Sequence, residues 1–130
     1  MAFEFEIDAA SRLVRIRMWG PVVLGDIFEV TRQITCDPSF QPGFSELIDL
    51  RELTSTATLT ADNLRELASS PLDPVALRAF VTPHASTFGL VRMFETYREI
   101  NRSPERIAVF KELAEAEAWL RREMREPPPG

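Results

Sequence analysis

The clearest indication of the fold comes from two stretches, residues 3–8 (FEFEID) and residues 14–21 (VRIRMWGP). Apolar and polar residues alternate in both stretches, a period of two that is typical of a strand with one buried face. Because a turn-like segment at residues 9–11 separates them, we expect an antiparallel β-hairpin. Glu4 and Glu6 should share one face with Arg15 and Arg17, where opposite charges help to fix the register.

The remainder of the chain alternates helical and strand patterns. We expect helices over residues 24–34, 61–69, 85–100 and 112–123, the second of them capped at its start by Thr60. Short apolar segments at residues 44–50, 76–81 and 107–110 predict strands, of which the second is interrupted by Arg78. Residues 54–58 are expected to form a polar loop.

The predicted order is ββαβαβαβα, and strands separated by helices imply parallel pairing. The fold class is therefore α/β, with a mostly parallel five-stranded sheet, an antiparallel first strand and about four helices. Residues 1–123 should form a single domain. Residues 124–130, which end in three prolines and a glycine, are expected to be a flexible tail.

Composition excludes several classes of protein. The 130 residues are 45% hydrophobic and 27% charged, which is ordinary globular composition. A net charge of -5 argues against nucleic acid as a partner. The lone Cys36 and the lone His84 make a poor metal site, and we expect neither metal nor cofactor. No signal peptide and no apolar run of about 20 residues is evident, so we expect a cytoplasmic protein without a membrane span.

Four stretches carry a resemblance to a known family. They are residues 18–22 (MWGPV), 37–51 (DPSFQPGFSELIDLR), 88–95 (FGLVRMFE) and 109–120, which begin with Val109-Phe110 and end with Trp119-Leu120. In this order and spacing, over residues 2 to about 123, the chain resembles the STAS/SpoIIAA-like family, and more narrowly the bacterial STAS/SEC14 domain-containing proteins.

The resemblance implies a SpoIIAA-like fold and a non-enzymatic regulatory or protein-interaction domain, with a protein partner or a homodimer. The SEC14 part of the description implies the alternative, a small-molecule or lipid-binding carrier or sensor. That alternative requires an internal cavity, expected between the helix with Phe28 and Ile34 and the long helix with Phe88, Met93 and Phe94. A cavity above about 300 Å³ would favour a ligand, and its absence together with a symmetric contact would favour the interaction domain.

One position departs from the family pattern. Anti-sigma-factor antagonists of the family carry an Asp-Ser pair just before the second helix, and a partner kinase phosphorylates the serine. Here the pair falls on Ala57 and Thr58, so the aspartate is missing and the hydroxyl belongs to a threonine. A phosphorylation switch at Thr58 and a threonine-rich loop that caps a helix are the two alternatives.

Ligands of parallel α/β sheets gather beyond the carboxyl ends of the strands. Small hydroxyls, one imidazole and a helix start with free N–H groups should meet at that edge, where a small anion or polar head group could bind. The same residue types also suit turns and caps. Arg92, which matches an arginine of the family, could pair with Glu95 or reach Asp49. The candidate ligand or partner site comprises Thr54, Ser55, Thr58, His84, Ser86, Thr87 and Arg92.

No sequence motif of a nucleophile elbow, a phosphate-binding loop or a dinucleotide-binding fold is present. We therefore expect that the protein is not an enzyme.

Overall fold

A computed structural model describes residues 2–125, and side chains through residue 124. The strands and helices follow in the predicted order. They are β1 (Ala2–Asp8), β2 (Leu13–Pro21), α1 (Leu24–Cys36), β3 (Ser45–Ser55), α2 (Ala61–Ser69), β4 (Leu77–Val81), α3 (Ala85–Ile100), β5 (Arg106–Phe110) and α4 (Leu113–Arg125). Of the predicted tail, residues 126–130 lie outside the described part of the chain.

The opening hairpin has the predicted register. β1 and β2 are antiparallel, with Glu4 opposite Arg17 and Glu6 opposite Arg15. The Nη1 of Arg17 donates to Oε1 of Glu4 at 3.0 Å, so the opposite charges meet across the two strands as expected. The other face of β2 carries buried apolar side chains, which anchor the hairpin to the core.

The sheet order is β1-β2-β3-β4-β5, and every pair after the first is parallel. Each new strand is added on the same side of the previous one. Right-handed crossovers then place the three connecting helices, α1, α2 and α3, on one face of the sheet. The last helix, α4, follows β5 and packs on the opposite face. The predicted α/β class and the antiparallel first strand are confirmed.

The two faces of the sheet have separate cores. On the face of α4, Leu47, Ala79 and Val81 pack against Ala116 and Leu120. The alternate residues of the same strands point toward α1, α2 and α3, where a larger apolar cluster forms. Because of this alternation, β3 is covered on both faces, which explains its nearly continuous apolar sequence.

The prediction that residues 54–58 form a loop is wrong for Thr54 and Ser55, which end β3. β3 extends beyond its neighbour β4 because β2 pairs with it as far as Ser55. The register shifts near Gly20, whose φ of +81° lies in the left-handed region that favours glycine. Thr54 and Ser55 thus belong to an end of β3 that pairs with β2 on one side and has no strand partner among the described residues on the other.

The second helix begins as predicted. Thr60 accepts a hydrogen bond from the backbone N–H of Asn63, and the Asn63 side chain accepts one from the N–H of Thr60, which completes a capping box.

Within residues 2–125, no helix is long and apolar enough to cross a membrane.

Candidate functional site

A cavity of about 120 Å³ lies between the sheet and the three helices on its larger-core face. Its floor is formed by β2, β3 and β4, for example by Ile16 and Ile48. Its walls come from all three helices. The apolar side chains that close it from above include Val30, Ile34, Leu64, Leu67, Val91 and Phe94.

The sequence predicted the helices of this cavity more accurately than its lining. Ile34 and Phe94 line it as expected, whereas Phe28, Phe88 and Met93 are not among the lining residues. The volume is also below the roughly 300 Å³ that a pocket for a drug-sized ligand needs. For comparison, an engineered apolar cavity of about 150 Å³ binds benzene. On that scale, the cavity of 120 Å³ has room for about five non-hydrogen atoms.

One end of the cavity is charged. Glu46, Arg78 and Asp73 all line it, and each is almost completely buried. Glu46 is the second residue of β3, Arg78 is the second residue of β4, and Asp73 belongs to the connection before β4. The charged end therefore lies at the amino ends of the parallel strands, opposite to the edge that the sequence favoured.

Arg78 holds these groups together. Its Nη1 donates to Oε1 of Glu46 at 2.6 Å and lies 3.4 Å from Oδ1 of Asp73. Its Nη2 donates to the backbone carbonyl of Asp73 at 2.7 Å. One guanidinium thus fixes both a neighbouring strand and the connection that leads into its own strand.

A second arginine extends the cluster. Glu105, just before β5, accepts from Nε of Arg98 at 2.6 Å, and its Oε1 lies 3.5 Å from Nε of Arg78. Arg98 also donates to the carbonyl of Ala68 at 2.9 Å, which ties the end of α3 to the end of α2. We call Glu46, Asp73, Arg78, Arg98 and Glu105 the buried charge cluster.

The buried charge cluster contains three carboxylates and two guanidinium groups, so negative charge is in excess. Two of its atoms, Oε2 of Glu46 and Nε of Arg78, are buried without a hydrogen-bond partner among the described residues. Burial raises the pKa of the Asp73 carboxyl above its ordinary value of 3.8, while the charge of Arg78 opposes that shift. A buried polar group without a partner costs about 1–3 kcal/mol, and Glu46 and Arg78 each have one such atom.

The opposite end of the cavity lies at the connection between β3 and α2. Thr56 and Leu59 line it there, and both are partly exposed. Next to them, the hydroxyl of Thr58 donates to the carbonyl of Val22 at 2.7 Å. This bond joins the β3–α2 connection to the segment that enters α1, next to this end of the cavity, but Thr58 itself is exposed and is not among the lining residues.

A surface depression of about 390 Å³ lies on the outer side of the buried charge cluster. Asp73 and Arg78 line both this depression and the internal cavity. Four prolines, Pro42, Pro71, Pro74 and Pro104, also line it. The buried charge cluster therefore lies between the internal cavity and the solvent.

The residues of the predicted site occupy different environments. Thr54 and Ser55 are exposed at the end of β3, and Ser86 is exposed in the first turn of α3. Nε2 of His84 lies 3.3 Å from the carbonyl oxygen of Arg51, so the structure brings the start of α3 to the end of β3.

Thr87 and Arg92 differ most in burial. Thr87 is buried and lines the cavity. Arg92 is exposed, and its Nε lies 3.5 Å from Oε1 of Glu95. Glu95 was one of the two partners that we expected for Arg92. Asp49, the other expected partner, instead accepts from Arg51.

Sequence reasoning missed the buried charge cluster. A signal was available in Glu46 and Arg78, which are opposite charges at core-facing positions of two predicted apolar strands. Asp73, Arg98 and Glu105 carry no such signal, because surface residues of loops and helix ends have the same composition. Within residues 2–124, no group of His, Cys, Asp and Glu side chains could hold a metal ion.

Comparison with known proteins supports the architecture. No family model matches the sequence, and no curated protein is similar to it. A crystal structure of an uncharacterized protein of the DUF3478 family from Shewanella loihica PV-4, described as having a SpoIIAA-like fold, is similar with a TM-score of 0.58. The two share 15% sequence identity, and the match covers 92% of each chain. With β1 antiparallel and the other strands parallel, this chain has a SpoIIAA-like α/β fold.

Proposed function

We propose that this domain is a non-enzymatic binding domain, a carrier or sensor that holds a small, mostly apolar molecule in the internal cavity. The observation that carries the proposal is the unpartnered Oε2 of Glu46 in a residue that lines this cavity. Buried polar groups in native proteins nearly always have a partner. A ligand that enters an otherwise apolar space beside that oxygen would supply one.

The volume of the cavity restricts the proposal to a very small ligand. At about 120 Å³, the cavity is below the roughly 300 Å³ that would favour a drug-sized ligand. Protein interiors nevertheless contain few voids larger than a water molecule, and at about 24 cal/mol per Å³ an empty cavity of this size would cost about 3 kcal/mol of stability. An occupant that restored the missing contacts would recover part of this free energy. The size fits a molecule of about five non-hydrogen atoms and not a whole lipid.

The surface supports the interaction role less well. Among the described residues, the exposed large apolar side chains are Val23, Met93, Ile100 and Met124. They belong to the segment before α1, to α3 and to α4, and a protein interface usually presents one contiguous apolar patch. The regulatory or protein-interaction role stays a prediction.

A non-enzymatic role is supported by the partners of the charged side chains near the cavity. Arg78 and Arg98 pair with carboxylates of the buried charge cluster. His84 is exposed and lies against a backbone carbonyl rather than beside a carboxylate or a nucleophile. A general base needs such a reacting partner within hydrogen-bond reach.

Titration with benzene tests the proposal. We expect saturable changes in the amide NMR shifts of residues around the cavity, and a higher melting temperature at saturating benzene. Val91→Phe, which adds volume inside the cavity, should abolish both effects. Val109→Phe, on β5 and outside the cavity lining, is the matched control and should retain them. An absence of saturable shifts in the wild type would refute the proposed function.

A further inference from the structure

The polar end of the cavity limits which ligands it can accept. Glu46 lines the cavity with a side chain that is 1% exposed. One of its oxygens is held by Arg78 at 2.6 Å, and the other, Oε2, has no partner among the described residues. A carboxylate oxygen can only accept hydrogen bonds, so a group that satisfies it must be a donor.

The charge of the groups around this oxygen also favours a hydrogen-bond donor, and in particular a cation. Three carboxylates face two guanidinium groups in the buried charge cluster, and all of their side chains are at most 11% exposed. In a medium of low dielectric constant, an excess negative charge favours a cation and disfavours a second anion. The remainder of the cavity is lined mainly by apolar side chains, together with Thr31, Thr56 and Thr87.

We propose that the cavity selects a small amphipathic molecule with an amine head, which donates a hydrogen bond to Oε2 of Glu46 while its short hydrocarbon part fills the space between α1, α2 and α3. The inference rests on the proposed function and assigns its ligand class. A ligand with a carboxylate head is disfavoured: Nε of Arg78 is also an unpartnered donor, but it lies 3.5 Å from Oε1 of Glu105, and the head would lie beside Glu46 and Asp73. An alcohol is accepted more weakly, since its hydroxyl donates without a charge.

Burial of the Asp73 carboxyl is consistent with this assignment. Burial disfavours the charged form of the Asp73 carboxyl and raises its pKa, so additional positive charge beside it is favourable. An ammonium group that enters beside Glu46 would supply such a charge.

A matched series of short-chain probes tests the assignment. The probes are n-pentylamine, 1-pentanol and pentanoate, which share a hydrocarbon chain and differ in the head group. Dissociation constants are measured by NMR titration at pH 7, where the amine carries its charge. We expect the amine to bind about tenfold more tightly than the alcohol, because a charge-assisted hydrogen bond is about twice as strong as a neutral one. Pentanoate should show no saturable shifts at the cavity.

Glu46→Gln removes the charge and retains a side chain of the same shape. We expect this variant to lose the preference for the amine, so that amine and alcohol bind within about threefold of each other. Glu29→Gln, a carboxylate exposed on α1, is the control and should keep the preference. If Glu46→Gln does not fold, Asp73→Asn serves as the second variant and should reduce the preference for the amine.

The outcomes separate this inference from the proposed function. Benzene binding without any preference among the three heads would overturn the amine assignment and leave the proposed function standing. Equal binding of pentanoate and pentylamine, or an amine preference that survives in Glu46→Gln, would also overturn it. Failure of benzene and of all three probes to bind would refute both.

Discussion

Replacing Arg78 by methionine removes the guanidinium that holds the buried charge cluster together. The methionine has a similar length and no charge, so Glu46 and Asp73 would be left without their nearest cation. Removal of one partner from a buried ion pair typically costs about 3–5 kcal/mol, because the other charge remains buried and unpaired. We expect a loss of this size at pH 7, measured by urea unfolding.

The cost should depend on pH. Without Arg78, the carboxyls of Glu46 and Asp73 bind protons more tightly in the folded protein than in the unfolded chain. The destabilisation is then small at low pH and grows as the pH rises through the raised pKa values. One carboxyl that must lose its proton contributes about 1.4 kcal/mol for each pH unit, so between pH 5 and pH 7 the cost should increase by up to about 2.7 kcal/mol for each group.

A control variant separates burial from charge. Arg32→Met removes an equally short ion pair, with Glu29 at 2.5 Å, but its partners are exposed on α1. Exposed pairs contribute about 0–1 kcal/mol, so this variant should unfold close to the wild type. The reasoning is refuted if Arg78→Met costs no more than Arg32→Met, or if its cost is the same at pH 5 and pH 7.

Two further predictions concern a glycine and two carboxyls. Gly89→Ala should stabilise the protein by up to about 1 kcal/mol in thermal unfolding, because the position is helical and exposed and an added Cβ meets nothing within 4 Å. A destabilised variant would contradict this expectation. Carbon-detected NMR titration should find the pKa of Asp73 above 3.8, because burial disfavours its charged form, and the pKa of Glu29 at about 2, because Arg32 and Gln33 donate to it. These pKa shifts make the free energy of unfolding depend on pH. It falls as the pH rises through the raised pKa of Asp73, and it falls as the pH is lowered through the depressed pKa of Glu29. Asp73→Asn should therefore remove the first of these two pH dependences and keep the second.

The site was predicted less completely than the fold. Thr87 does line the cavity, whereas Thr58 is exposed and is not among the lining residues. The charged end of the cavity, however, lies at the amino ends of the parallel strands and not at their carboxyl ends. The general rule for parallel sheets places ligands at the carboxyl edge. Here the interior polar groups come instead from Glu46 and Arg78, at core-facing positions of β3 and β4.

Local sequence patterns were enough to predict the order of strands and helices, the antiparallel hairpin and the helix cap at Thr60. These features depend on residues that are close in the chain, through the period of two in strands, the spacing of apolar residues in helices and local capping bonds. The length of β3 could not be predicted in this way, since its last residues are fixed by pairing with β2. The same holds for the cavity and the buried charge cluster. Glu46 and Arg78 are 32 residues apart, and Arg98 reaches Ala68 across 30. Contacts of this range, and the volume left between packed helices, depend on how whole elements dock, which no local pattern encodes.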